Sequence, residues 1–206
     1  TVYKVQMEGL MRLKAMAKIN LGLDVLGKRE DGYHEVRMIM QTIRMYDILD
    51  IRKTRRPGIV LTTNLPFIPT DQRNLVYKAA QMLMEEFDVE EGLSIKLRKF
   101  IPVAAGMAGG SSDAAAAFVG VNRMFHLGLT EEQLMERAVK VGADVPYCIM
   151  RGTALAEGIG EKLTRLPEVP KCYVLIGKPG INVSTKTAYE NLNLEGIGKH
   201  PDIDGL

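Results

Sequence analysis

The sequence has no tryptophan, only two cysteines and only three histidines in 206 residues, and aromatic residues make up just 6%. Cys148 and Cys172 stand in apolar runs that read as strands. They offer neither a disulfide framework nor the paired spacing of a zinc site. Both are expected to be buried free thiols, which suits a reducing cytoplasm. His34, His126 and His200 are too few and too scattered for a histidine metal centre, so no protein metal site is expected. Charge of one sign is missing too. Lysine and arginine number 27 against 25 acidic residues, and a net charge of +2 argues against nucleic acid as the main partner. The basic run from Arg52 to Arg56 stands directly before Pro57-Gly58 and reads as a solvated turn. No apolar run is long enough to span a membrane, and no signal-peptide core stands at the N-terminus. A cytoplasmic protein without a membrane partner is therefore expected.

What is present is ordinary in bulk, 46% hydrophobic and 25% charged, and enough for one large domain or two small ones. One run stands out, from Pro102 through Ala104, Ala105, Gly106, Met107, Ala108, Gly109 and Gly110 to Ser111-Ser112-Asp113 and four alanines. It follows Leu93, Ile95 and Leu97, which alternate with polar residues as in a half-buried strand. It ends in a segment of strong helix propensity. Ser111 or Ser112 is expected to cap that helix. A strand, a loop of small residues and an open helix N-terminus together make a phosphate cradle. The competing reading is a flexible loop before a tightly packed helix, but glycines, paired hydroxyls and a helix start coincide here. No Gly-Lys-Ser/Thr closes the run, and its glycine spacing is not the dinucleotide fingerprint.

Residues 13 to 25 alternate, with Leu13, Ala15, Ala17, Ile19, Leu21, Leu23 and Val25 on one expected buried face. Lys18 and Asn20 then project together from the other. After the Asp31-Gly32 turn, strands are expected over Val36–Arg44, Asp47–Lys53 and Gly58–Thr63. Leu75, Ala79, Leu83 and Phe87 give a helix over Asn74–Phe87, and Thr130 with Gln133 opens another through a capping box. Gly142-Ala143-Asp144-Val145-Pro146 breaks that helix and leads into the apolar run Tyr147–Met150. A hairpin turns at Gly158-Ile159-Gly160, and Leu166 to Pro170 is the best linker. A strand over Lys171–Ile176 and a short helix capped by Ser184 or Thr185 follow. Strands first, then helices interleaved with strands, imply the α+β class.

Four segments together resemble the GHMP kinases. They are Ala17-Lys18-Ile19-Asn20-Leu21, Asp31-Gly32-Tyr33-His34-Glu35, the loop from Pro102 to Ala117, and Gly142-Ala143-Asp144-Val145-Pro146. The Gly-Tyr-His and Gly-Ala-Asp-Val-Pro elements are similar to the branch that phosphorylates a cytidine-diphosphate-linked methylerythritol for isoprenoid synthesis. The resemblance, over residues 11 to 192, implies a ribosomal protein S5 domain 2-like ATP-binding domain over 11–166. Residues 167–206 would begin a ferredoxin-like substrate domain. The family's third, glycine-rich motif has no counterpart up to Leu206, so a fragment is expected. Met11-Arg12-Leu13 resembles a natural start, which makes residues 1–10 an extension or appended remnant.

The resemblance also implies roles. Lys18 and Asp144 would be the catalytic pair, although a solvated lysine and a turn aspartate are the everyday readings. Asn20, Tyr33, His34 and Tyr189 would hold the substrate, Tyr33 and Tyr189 against the cytosine and His34 on its edge; a loop or core place is the plainer alternative. ATP, with Mg2+, would lie on Pro102, Ala104, Ala105, Gly106, Ala108, Gly109, Gly110, Ser111 and Ser112. Asn74 and Lys99 would serve the adenine side, against a helix cap and a solvated strand-end charge. Asp113 reads as a first-turn dipole partner. The protein would act on a small molecule as a monomer or weak homodimer. A different GHMP small-alcohol kinase is the nearest alternative, disfavoured by Gly-Tyr-His. A non-catalytic nucleotide-binding module is another, disfavoured because a pure binder needs neither Lys18 nor Asp144.

Overall fold

The computed structural model describes residues 9–180, 185–194, 196 and 198–206. It opens with two long antiparallel strands, β1 (Leu10–Lys28) and β2 (His34–Thr54). The turn between them closes with Arg29 N–H donating to Tyr33 O at 2.8 Å, and Gly32 takes a φ of +84° that favours glycine. The strands expected over Val36–Arg44 and Asp47–Lys53 are thus one continuous strand. Register shifts at Met16/Lys18, Asn20/Gly22 and Val25/Gly27 break the alternation of β1. Leu21 and Leu23 are consequently exposed, while Lys18 and Asp24 are buried, against the expected faces. A period of two fails wherever a bulge adds a residue.

β3 (Ile59–Thr63), helix α1 (Leu75–Glu86) and β4 (Gly92–Arg98) follow, then helices α2 (Gly109–Met124), α3 (Glu131–Ala138) and α4 (Val145–Met150). The hairpin β5 (Thr153–Glu157) and β6 (Lys162–Arg165) and the short helix α5 (Thr185–Glu190) complete the described elements. Among the described residues the sheet runs β3-β4-β2-β5-β6, with β1 on the other edge of β2. Helices α1 and α2 cover one face. Ala114 to Phe118 are buried there, and at Gly120 a Cβ would stand 2.4 Å from Ile51 Cδ1 and 2.7 Å from Leu13 Cδ1. The alanine run is therefore a packing device as well as a helix former: small side chains let α2 lie close on the sheet. α1 is capped by Asn74 and α3 by the full Thr130–Gln133 box.

Several expectations change. The apolar run Tyr147–Met150 is helical, because Pro146 suits a first helical turn. Cys148 is buried as expected, but Cys172 is exposed. Residues 171–176 pair with no strand among the described residues, and Tyr173 and Leu175 are fully exposed. Ser184, named as a cap, and residues 1–8 lie outside the described residues. The last residues return to the long strands: Ile203 is buried, Asp204 pairs with Arg37 at 2.6 Å, and His200 Nδ1 lies 2.7 Å from Asp24. No described helix is long and apolar enough to cross a membrane.

Candidate active site

The small-residue loop runs from the end of β4 to the start of α2. Ala104, Gly106 and Ala108 take φ values of +54°, +69° and +53°, alternating with residues of negative φ. Such alternation turns successive amides toward one concavity and suits an anion. Two alanines in the left-handed region are a local cost that surrounding structure must hold. α2 begins at Gly109 with Ala108 as N-cap and no side-chain cap. Neither Ser111 nor Ser112 caps it, because the helix starts before them. Ser112 Oγ instead donates to Met16 O on β1. The first bond of the helix is Ser112 N–H to Ala108 O, so the amides of Gly109, Gly110 and Ser111 precede the intrahelical ladder. Met107 is buried against Ala17 and Ile101, and its carbonyl accepts from Lys18 N–H at 3.2 Å. The loop thus rests on the strand that carries Lys18.

Beneath the loop lies a buried ionic cluster. Lys99 Nζ pairs with both Asp47 and Asp113, the latter at 2.7 Å, and all three residues are buried. Asp47 also accepts from the backbone N–H groups of Phe100 and Ile101. Lys99 is therefore neither a solvated charge nor turned outward toward a nucleotide, since an ammonium removed from water takes carboxylates as partners. Asp113 is likewise no surface dipole partner. Burial pushes its carboxyl well above the usual range, with the Lys99 charge opposing and Asp47 adding to the rise. Asn74 is the cap of α1, accepting from Val76 N–H at 2.9 Å and donating to Pro69 O at 2.7 Å. Asp47 reads in sequence only as a strand residue; nothing local separates it from Asp50, three residues on, and its burial comes from the folded sheet.

Next to the loop, Lys18 and Asp144 come together. Lys18 Nζ stands 3.8 Å from Asp144 Oδ2 and donates to Asn20 Oδ1 at 3.0 Å. The Lys18 side chain is 6% exposed and that of Asp144 33%, so the pair has a buried cation and a reachable carboxylate. Asp144 immediately precedes α4, and its carbonyl accepts from Cys148 N–H, which fixes its backbone while its side chain is left out of capping. Burial, reinforced by the Asp144 charge, keeps the Cys148 thiol protonated below the pair. His34 and Tyr189 stack with ring centroids 4.9 Å apart. Burial first and the Asp144 charge second raise the Tyr189 hydroxyl, so this ring feels the Asp144 carboxylate. Tyr33 beside them is exposed.

A loop shaped for anions, a lysine–aspartate pair tied to it and a neighbouring aromatic stack are the parts of a small-molecule kinase. Residues 74–152 match the GHMP kinases N terminal domain. Two curated proteins called 4-diphosphocytidyl-2-C-methyl-D-erythritol kinase are similar to the chain. That of Lachnospira eligens is 57% identical over 196 residues, which are 95% of this chain and 68% of that protein. That of Caldicellulosiruptor bescii is 54% identical with the same coverage. The chain belongs to the GHMP kinase family. Among solved structures, a 4-(cytidine 5'-diphospho)-2C-methyl-D-erythritol kinase superposes with a TM-score of 0.77 at 32% identity, covering 94% of this chain and 69% of that one. A homoserine kinase from Cytophaga hutchinsonii superposes at 0.69 with 18% identity, which shows the shared fold alone.

Proposed function

We propose that this protein transfers the γ-phosphoryl group of ATP to the 2-hydroxyl of 4-diphosphocytidyl-2-C-methyl-D-erythritol. The observation that carries the reading is the Lys18–Asp144 pair at 3.8 Å on a strand whose Lys18 N–H is bonded to the phosphate loop. The triphosphate lies against the concavity of Ala104, Gly106 and Ala108 and the open amides of Gly109 to Ser111, where the helix dipole and N–H groups take up negative charge. Pro102 and Ala105 complete the loop. As the acceptor oxygen bonds to the γ-phosphorus, the bond to the β–γ bridging oxygen breaks and ADP departs. Asp144 takes the hydroxyl proton. Lys18 steadies the charge on the acceptor and transferred oxygens and is itself held by Asn20.

Among the described residues no group of three His, Cys, Asp or Glu could hold a metal ion. The donor set fits Mg2+ only as a companion of ATP, with phosphate oxygens as its main ligands and the Ser111 hydroxyl the protein oxygen offered from the loop. Such an ion would neutralise phosphate charge. His34 and Tyr189 supply a stacking surface for the cytosine, with Tyr33 as the exposed third ring at its edge. Residues 167–206 belong to the second, substrate domain, whose beginning is set at Leu166-Pro167. A cytoplasmic location follows from the two unpaired thiols. The chain works alone or as a weak pair.

Phosphoryl transfer from ATP, measured with the cytidine compound, its uridine analogue, mevalonate and homoserine, tests this reading. Transfer to the cytidine compound alone is expected, with Asp144→Asn lowering turnover by about 10²-fold or more. Transfer to mevalonate or homoserine would move the substrate assignment elsewhere in the family. No transfer to any acceptor would leave a nucleotide-binding module.

A further inference from the structure

We propose that Asp47, Lys99 and Asp113 form an internal tie that sets the height and shape of the phosphate loop, and so the affinity for the triphosphate, without Lys99 touching the nucleotide. This rests on reading residues 102–112 as the ATP site. The tie joins the two ends of that loop. Lys99 precedes it, Asp113 stands in the first turn of α2 just after it, and their side chains meet at 2.7 Å. Asp47 fixes the entry from below, accepting from Phe100 and Ile101 N–H and from Lys99 Nζ. Gly109 leaves room for the ammonium: a Cβ there would stand 3.1 Å from Lys99 Nζ.

A role in stability alone explains this cluster poorly. Taking an ammonium and two carboxyl groups out of water is costly, and apolar residues of similar volume serve a core as well or better. Asp113 Oδ1, moreover, is buried with no hydrogen-bond partner. What such a cluster supplies is a fixed geometry, here for a loop with two alanines in the left-handed region. The tie also explains why a lysine at the mouth of a nucleotide loop is buried. Asp47, Lys99 and Asp113 are thus positioning residues.

Steady-state kinetics on the full-length protein decide the matter, with ATP and acceptor KM measured separately and thermal unfolding followed in parallel. Asp113→Ala should raise the ATP KM by at least about tenfold, since a displaced loop loses alignment, and leave the acceptor KM unchanged. Asp113→Asn, which can still accept from Lys99, should restore most of the ATP affinity. The triple variant Asp47→Asn/Lys99→Met/Asp113→Leu leaves no buried charge unpaired and keeps an amide oxygen for Phe100 and Ile101 N–H; it should unfold near the wild-type temperature yet retain the raised ATP KM, and it serves where the single alanine variant does not fold. An unmoved ATP KM in a folded variant, or equal changes in both KM values, overturns the tie. Absence of ATP binding in the wild type would overturn the site reading itself, and the tie with it.

Discussion

The donor and acceptor sides of the proposed site are built in different ways. On the donor side, each end of the phosphate loop is bonded to the sheet, through Asp47 at one end and through Ser112 and Lys18 at the other, and a buried ionic cluster lies beneath it. On the acceptor side, Tyr33 stands exposed after a turn, and His34 meets Tyr189, which belongs to a six-residue helix. The difference follows the two tasks. Developing charge must be met by dipoles that do not reorganise, and only an over-determined backbone provides that. A base is recognised by flat apolar surface and a few edge contacts, which tolerate some play.

The contrast predicts unequal damage. The largest effect is expected at Gly109→Val, because even a Cβ would lie 3.1 Å from Lys99 Nζ and 3.2 Å from Ile101 Cγ2. Overpacking there should cost about 1–3 kcal/mol in denaturant unfolding and weaken ATP binding in calorimetry. Gly110→Ala is the internal control: its nearest neighbour would be Leu75 Cδ1 at 3.7 Å, an ordinary contact, and ATP binding should survive. Equal loss at both positions would mean that the two glycines are needed for approach to phosphate and not for the cluster below.

A smaller effect is expected across the site. His34→Ala or Tyr189→Leu should weaken the cytidine substrate several-fold, the loss of one stacked pair at about 0.5–1.5 kcal/mol, with the ATP KM unmoved. Should the ATP KM rise in step, the two sides would not be separable. The smallest effect is expected for Ala104→Gly and Ala108→Gly. Relief of the left-handed strain is offset by the freedom glycine adds to the unfolded chain, so stability should stay within about 1 kcal/mol of wild type. A larger fall in equilibrium unfolding would show that these methyl groups pack.

Local chemistry was readable and pairing was not. Asn74, the Thr130–Gln133 box, the hairpin at Gly158 and the small-residue loop declare themselves through neighbours a few residues away. The bulges of β1, which expose Leu21 and Leu23, depend on the register against β2, and nothing within β1 marks them. The single strand β2 likewise reads as two in the sequence, Val36–Arg44 and Asp47–Lys53, with Met45-Tyr46 left between them. Lys18 meets Asn20 and Asp144, and His34 meets Tyr189, contacts that no pattern within one segment indicates. The ionic cluster was the hardest to see. Lys99 lies 52 residues from Asp47 in sequence, so its burial is a property of the folded sheet. The serines were misplaced by one turn because a left-handed alanine took over the capping position.

One consequence lies in the forked pairing of β2. Its second edge bonds β5 over Met38–Gln41 and β4 over Ile48–Thr54, leaving residues 42–47 between the two. Thr42, at one end of that interval, holds Gly152 and Tyr147, which close α4. Asp47, at the other, holds the root of the phosphate loop. The carboxylate before α4 and the cradle above β4 are thus hung from two hooks on one strand, five residues of chain apart. That interval works as a ruler. The span from the Asp144 segment to the loop is measured out in covalent bonds, and an insertion or deletion there would change that span without altering the identity of any residue of the proposed site.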